Sequence, residues 1–429
     1  MRKLSIWLVL GVMFSSCLET PNNFEKLPPG TWRVVLKLTD PDQADSDFSV
    51  AETDGMIDYF KLPFNMDVKY TEDNKMEVYI INGEERIPIE SVNYGRDPRT
   101  AKDTLQLGFV AFDSKMDGYY EGNFIEGFWK VPNRNKDYQI PFIAYYGESH
   151  RFDIPQVKST SDFGGKWKVT FEYDNEDKYP AIGQFVQNGN KLSGTFMTET
   201  GDYRYLDGNA YDDKMKLSVF DGAHAFLFSG KLTNDTIYGE FRSGKHYKSK
   251  WMSVKDEAFE LTSPYEMTKA VPDEKVDFSF VSSANKKVSI NDSNYQGKYK
   301  LVNIMGTWCP NCRDEIKFLK EVQKYNNDIA IISLAFEKYR DEKKAINVLQ
   351  KYKQQMAFNW PILLGGYANK KETSETFSFL DKIYSYPTLL LIDDKNNIVD
   401  IHTGFYGPAT EEYKTFKKEF FEKLKRLNL

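Results

Sequence analysis

From Gly30 to about residue 255 the chain alternates apolar and polar residues in short runs broken by Gly-rich turns, and this period of two predicts half-buried antiparallel strands. Two stretches look alike. Gly30-Thr31-Trp32 opens the run RVVLKL, and Gly165-Lys166-Trp167 opens KVTFEY about 135 residues later, a spacing too long for a solenoid unit. Trp129 and Trp251 close the two stretches, and a Gly-x-Phe element recurs at Gly122–Phe124, Gly194–Phe196 and Gly239–Phe241. Hairpin turns are expected at Asn82-Gly83, Asn188-Gly189, Asp207-Gly208 and Asp221-Gly222. The pattern predicts two copies of a small antiparallel barrel or sandwich, an all-β region 1 at 28–155 and an all-β region 2 at 160–255.

The alternation stops after this. Residues 256–276 collect Ser263-Pro264 and Pro272-Asp273 and read as a linker. Over 277–429 apolar runs alternate with amphipathic helical stretches: KYKLVNIM, a helix from Cys309, IAIISLAF, a second helix, WPILL, TLLLID, IVDIHTG and a final helix. That order predicts an α/β unit with a sheet parallel at its centre, so the fold class is multidomain, two all-β regions followed by an α/β fold. The Gly-x-Trp starts resemble the first strand of lipocalin-like barrels, which would make each β region a ligand container. A Trp closing any filled small barrel meets the same packing need.

A chain of 429 residues is too long for one core. Its 57 basic and 63 acidic residues leave a net charge of -6 with no basic run to track a phosphate backbone, so nucleic acid is not expected as a partner. His150, His224 and His246 lack ligand spacing and read as surface or core residues, with no metal and no cofactor implied. At the N-terminus Arg2 and Lys3 precede the apolar stretch Ile6 to Phe14, then Ser15, Ser16 and Cys17, which reads as a signal peptide over 1–16. The Phe-Ser-Ser-Cys segment resembles a bacterial lipobox, which implies lipidation at Cys17, a tether over 17–27 and a lipid membrane as partner. Leu18 stands where an inner-membrane retention signal would have Asp, which favours the outer membrane, facing the periplasm.

With Cys17 assigned to the anchor, Cys309 and Cys312 are the remaining thiols. A C-x-x-C loop is too short to staple a fold, so exchange chemistry is its expected use. Zinc would need two further ligands, and haem attachment a His where Arg313 stands. The pair sits between a buried strand and a helix, where N-terminal N–H groups favour the thiolate of the first cysteine. Cys309 is therefore expected as the exposed nucleophile and Cys312, on the face of Ile316 and Leu319, as the sheltered resolving thiol. Pro310 suits the first helical position. Asp314 and Glu315, in the first turns, oppose a thiolate.

GKYKLVNIMGTWCPNC together with SYPTLLLIDDKNNIVDIHTGF resembles the TlpA-like (ResA-like) branch of the thioredoxin superfamily, membrane-tethered periplasmic thiol-disulfide oxidoreductases. The resemblance covers roughly the last third of the chain and implies a thioredoxin-like fold. It implies a cis Tyr386-Pro387 bond beside the disulfide, with the backbone of Tyr386 offered to a substrate strand and Trp308 and Pro310 flanking the thiols. Pro387 follows Cys312 by 75 positions, the longer spacing of that branch, and Glu337 falls where relatives carry an acid that handles protons. Asn303 stands where ordinary thioredoxins bury an acid, and Ser385 where Gly is frequent. The implied partners are disulfide-bonded protein substrates and a membrane-associated electron donor, and the implied activity is disulfide reduction by dithiol exchange. An oxidase or isomerase, or a binding lipoprotein in which the β regions carry recognition, stays open.

Overall fold

The two Gly-x-Trp sites build one local device twice. Gly30 and Gly165 take φ values of +125° and +96°, a backbone that a side chain would strain. Trp32 and Trp167 turn inward behind them, and each indole N–H donates to the carbonyl four residues back, Pro28 at 3.3 Å and Phe163 at 2.8 Å. These details come from a computed structural model that describes residues 26–38, 61–134, 136–155 and 157–429. The signal segment and Cys17 lie outside the described residues.

Each Trp strand is flanked by the next and by the last strand of its own sheet. Gly30–Lys37 pairs with Lys61–Tyr70 and Gln139–Tyr146; Gly165–Phe171 pairs with Tyr179–Asn188 and Tyr247–Lys255. Both sheets have nine antiparallel strands, but they close differently. Among the described residues the first stays open, with Glu85–Pro88 and Ser91–Arg96 at its edges. In the second, Tyr179–Asn188 also pairs with Lys191–Thr198, which closes a barrel. Its interior is filled by Phe171, Phe196, Phe228, Phe241 and Trp251, with Phe228 stacked at 4.5 Å on both Phe196 and Phe241. A filled barrel is a core, so the container reading does not apply to it.

One turn reading and one repeat reading fail for physical reasons. Asp207-Gly208 lies inside the strand Leu206–Tyr211, where a Cβ on Gly208 would sit 1.9 Å from the Lys216 carbonyl oxygen; the glycine serves close strand approach, not a turn. Gly122–Phe124 does not match its namesakes. Gly122 is a hairpin turn that leaves Phe124 exposed, whereas Gly194 and Gly239 let the barrel strands pack and their phenylalanines point inward.

The third unit is a seven-stranded sheet. Lys300–Met305, Ala330–Glu337 and Ile362–Tyr367 run parallel, because helical crossovers return the chain to the same end. Thr388–Ile392 and Ile398–Thr403 add antiparallel on one side, and the hairpin of Ser279–Ser282 and Lys287–Ser289 on the other. Helices α1 (Pro310–Tyr325), α2 (Glu342–Met356), α3 (Lys370–Glu375) and α4 (Glu411–Arg426) cover it. Residues 256–276 are strapped to this unit: Ala270 bridges Leu380, and the Pro264 carbonyl accepts from Thr403 N–H at 2.9 Å.

The units share their interiors. One apolar core runs from the first sheet into the third unit, and Phe220 of the barrel stacks on Phe64 at 4.4 Å. Arg204, buried on the barrel, reaches Asp314 of α1 at 2.8 Å, Glu85 of the first sheet and Asp221 of the barrel at 3.9 Å. Replacing Arg204 by Met leaves these buried carboxylates without their cation, which costs about 3–5 kcal/mol. A lower urea midpoint, with proteolytic nicking between the barrel and residue 277 appearing before global unfolding, is the expected outcome of Arg204→Met.

Candidate active site

The parallel strand Lys300–Met305 is buried along its whole length and delivers the chain to Gly306. A Cβ on Gly306 would meet the Trp308 indole at 2.3 Å, so glycine lets the loop fold back on itself. Glu337, at the end of the neighbouring strand, fixes that loop: one carboxylate oxygen accepts from Thr307 N–H at 3.0 Å and the other from Thr307 Oγ1 at 2.8 Å. Trp308 Nε1 donates to the Phe336 carbonyl at 2.9 Å, and its ring meets Tyr386 edge-on at 5.6 Å and the Lys338 ammonium at 4.5 Å.

Cys309 is the N-cap of α1, with Pro310 at the first helical position. The Cys312 N–H donates to Cys309 Sγ at 3.2 Å, one of the helix's otherwise orphan donors aimed at the sulfur. Cys309 Sγ in turn points to the Tyr386 carbonyl oxygen at 3.7 Å, and the Tyr386-Pro387 bond is cis. Both cysteines are free thiols. Cys312 is fully buried, and burial first, then its contact with Cys309, pushes its thiol well up. Cys309, expected to be exposed, retains only 7% of its surface. Barrel residues, among them Thr198, Gly201, Tyr203, His224 and Phe226, face Trp308, Cys309 and Tyr386 across a cleft of about 230 Å³.

The two acids of α1 also differ from expectation. With Cys309 as cap they fall beyond the first turn, and neither stands as a bare charge. Burial works against ionising Asp314, yet Arg204 and Lys317 outweigh it and hold its carboxyl low. Glu315 has no such cation; burial lifts it to about 8, opposed only by the Asn303 amide, which donates at 2.7 Å. Burial also lifts Glu337 to about 7 against its bonds from Thr307.

A family model described as Redoxin matches residues 250–415. The thioredoxin-like protein YneN of Bacillus subtilis is 30% identical over 139 residues, which cover 32% of this chain and 74% of that relative. The chain belongs to the TlpA-like branch of the thioredoxin family. Among solved structures, a thiol-disulfide oxidoreductase from Bacteroides fragilis is 20% identical, covering 36% of this chain and 99% of its own with a TM-score of 0.26. StoA from Bacillus subtilis is 17% identical, covering 35% and 98% with a TM-score of 0.25. This TlpA-like protein is a thiol-disulfide oxidoreductase with disulfide-containing substrates.

The structure gathers Trp308, Cys309, Pro310, Cys312, Tyr386 and Pro387 at one point, with Glu337 behind the loop. Sequence reasoning passed over the Asn303–Glu315 pair as a unit. Both residues are fully buried, and Glu315 Oε1 and Asn303 Oδ1 have no hydrogen-bond partner among the described residues. The signal was there: Asn303 interrupts an otherwise apolar buried strand and requires a polar partner, and Glu315 follows Cys312 by three positions, one helical turn away. His224, read as a surface or core residue, lines the cleft together with Phe226.

The burial of Glu315 makes a pH prediction. Its ordinary value, near 4.5, applies to the unfolded chain, and the folded value is about 8. Between these the unfolded state binds fewer protons, so this residue's contribution to stability is complete below pH 4.5 and is lost as pH rises through 8. Glu315→Gln removes the titration. The variant should unfold at higher denaturant than the parent at pH 8.5, by on the order of 4 kcal/mol, with the difference vanishing near pH 4. A pH-independent difference in urea midpoints would contradict this assignment.

Proposed function

We propose that this protein is a membrane-anchored periplasmic disulfide reductase. The observation that carries this reading is the inequality of the two thiols: Cys309 Sγ receives an N–H at the helix cap and borders the cleft, while Cys312 is sealed beneath it. The Cys309 thiolate attacks one sulfur of a substrate disulfide; a mixed disulfide forms and the first substrate sulfur leaves as a thiolate, which is protonated. The Cys312 thiolate then attacks Cys309 Sγ and expels the second substrate thiol. Two electrons pass to the substrate, and Cys309 and Cys312 are left as a disulfide that an external dithiol at the membrane must reduce.

Resolution requires Cys312 to give up a proton that its burial holds tightly. Glu315, whose Oε1 is unpartnered among the described residues and whose charge acts on Cys312 when ionised, can take it only in the ionised form that grows as pH rises toward about 8, whereas both oxygens of Glu337 serve Thr307. Trp308, Pro310, Tyr386 and Pro387 shape the approach to Cys309. The lipobox-like segment at Cys17 supports anchoring, and Leu18 supports the outer membrane. A second reading, recognition by the β regions, is favoured by a groove of about 920 Å³ on the first sheet, lined by Tyr94, Gln106, Asp117, Phe128 and Phe142 among others.

Cys312→Ser should trap substrate on Cys309 as a mixed disulfide during export, and Cys309→Ser should trap none; equal adduct from both variants would sink the assignment. The potential of the pair decides direction. A reductase should lie near the thioredoxin value of about −270 mV, and a value near about −120 mV would make the protein an oxidant.

A further inference from the structure

The hairpin that joins the barrel strands Lys191–Thr198 and Gly201–Asp202 lies across the mouth of the thiol site and touches three segments there. On α1, Asn311 Nδ2 donates to Asp202 Oδ1 at 3.1 Å. On the loop before Pro387, Ser385 Oγ donates to the Thr200 carbonyl at 3.3 Å and the Tyr384 hydroxyl to Glu199 Oε2 at 2.7 Å. On the loop after Thr403, Gly201 forms a parallel bridge with Phe405, and Gly407 N–H donates to Asp202 Oδ1 at 2.9 Å. The fit is close: a Cβ on Gly201 would lie 2.0 Å from Asn311 Nδ2 and 3.0 Å from the Phe405 carbonyl oxygen.

A polypeptide strand carrying a disulfide would need open backbone edges at these loops to lie beside Cys309. The hairpin already takes the Phe405 edge and covers the approach over Ser385. What remains is the cleft of about 230 Å³ between Cys309, Trp308 and Tyr386 on one side and Tyr203, His224 and Phe226 on the other. That volume is below the range of about 300–1,000 Å³ usual for drug-sized ligands. A disulfide with slender substituents fits that space, whereas a strand of a folded protein would meet the hairpin at Thr200 and Gly201.

We propose that the barrel hairpin Glu199–Asp202 is a fixed wall of the active site that sets its specificity toward low-molecular-mass disulfides. This rests on the dithiol exchange proposed above and narrows its substrate class. The wall acts by exclusion, so its removal should broaden the range and leave the chemistry intact.

The test measures the rate constants with which hydroxyethyl disulfide and insulin oxidise the pre-reduced full chain, followed by alkylation of remaining Cys309 and Cys312. The parent should favour hydroxyethyl disulfide by at least roughly tenfold, and Gly201→Ala, which forces the hairpin off Asn311, should cut that ratio at least several-fold by raising the insulin rate. Glu199→Ala, which only releases Tyr384 and Thr262, should shift the ratio in the same direction and serves if Gly201→Ala does not fold. Equal rates in the parent, or a ratio unchanged in the folded variants, overturns the wall while leaving the exchange chemistry standing. If neither disulfide oxidises the pair in any form, the exchange chemistry falls and the wall with it.

Discussion

The arrangement of this molecule turns on one buried cation. Arg204 sits where three units meet, and burial works against its charge, yet Asp314, Glu85, Asp221 and Asp202 outweigh that and hold it above its ordinary value. A guanidinium can satisfy several carboxylates at once because its donors fork in a plane. Fixing Arg204 on Asp314 fixes the barrel against the second turn of the helix that begins at Cys309, and so places the Glu199–Asp202 hairpin over the thiols. Arg313 reaching Glu90, at the edge of the first sheet, at 3.1 Å gives the same helix a second charged tie.

That clamp also sets the electrostatics at the reactive pair. Two acids following a C-x-x-C motif would oppose a thiolate if both were ionised nearby. Here Asp314 is neutralised by Arg204, and Glu315 is so thoroughly removed from water that it holds its proton at neutral pH. The helix therefore carries little uncompensated negative charge toward its N-terminus. Burial thus does two jobs at α1: it pairs one acid and protonates the other, leaving a carboxyl beside Cys312 able to exchange a proton near neutrality.

How much of this was legible in the sequence follows the range of the forces involved. The strand-to-helix placement of Cys309 and Cys312, the position of Pro310 and the Trp devices at Gly30 and Gly165 depend on residues within a few positions of one another, and local pattern reveals them. Asp207-Gly208 misled because a glycine needed for close strand packing and a glycine needed for a turn look the same in one dimension. Arg204 and Asp314 are 110 positions apart, and nothing local marks either as buried. Asn303 and Glu315 are an intermediate case: each breaks an apolar pattern, and pairing them needed only the rule that buried polar groups seek partners.

The covered state of Cys309 has an energetic reading. If the barrel swung aside for each turnover, Arg204 would have to leave Asp314, and breaking such a buried pair costs about 3–5 kcal/mol, a population of open molecules on the order of one in a thousand. The apolar core shared between the first sheet and the α/β unit adds to that cost, since Phe220 would also have to leave Phe64. The closed arrangement is therefore the working one, with the hairpin tied in place at Asn311, Tyr384, Ser385, Phe405 and Gly407. Specificity and stability are consequently separable in this fold: the deep charges hold the barrel in place, and the shallow contacts of one hairpin decide how much of Cys309 a substrate can reach.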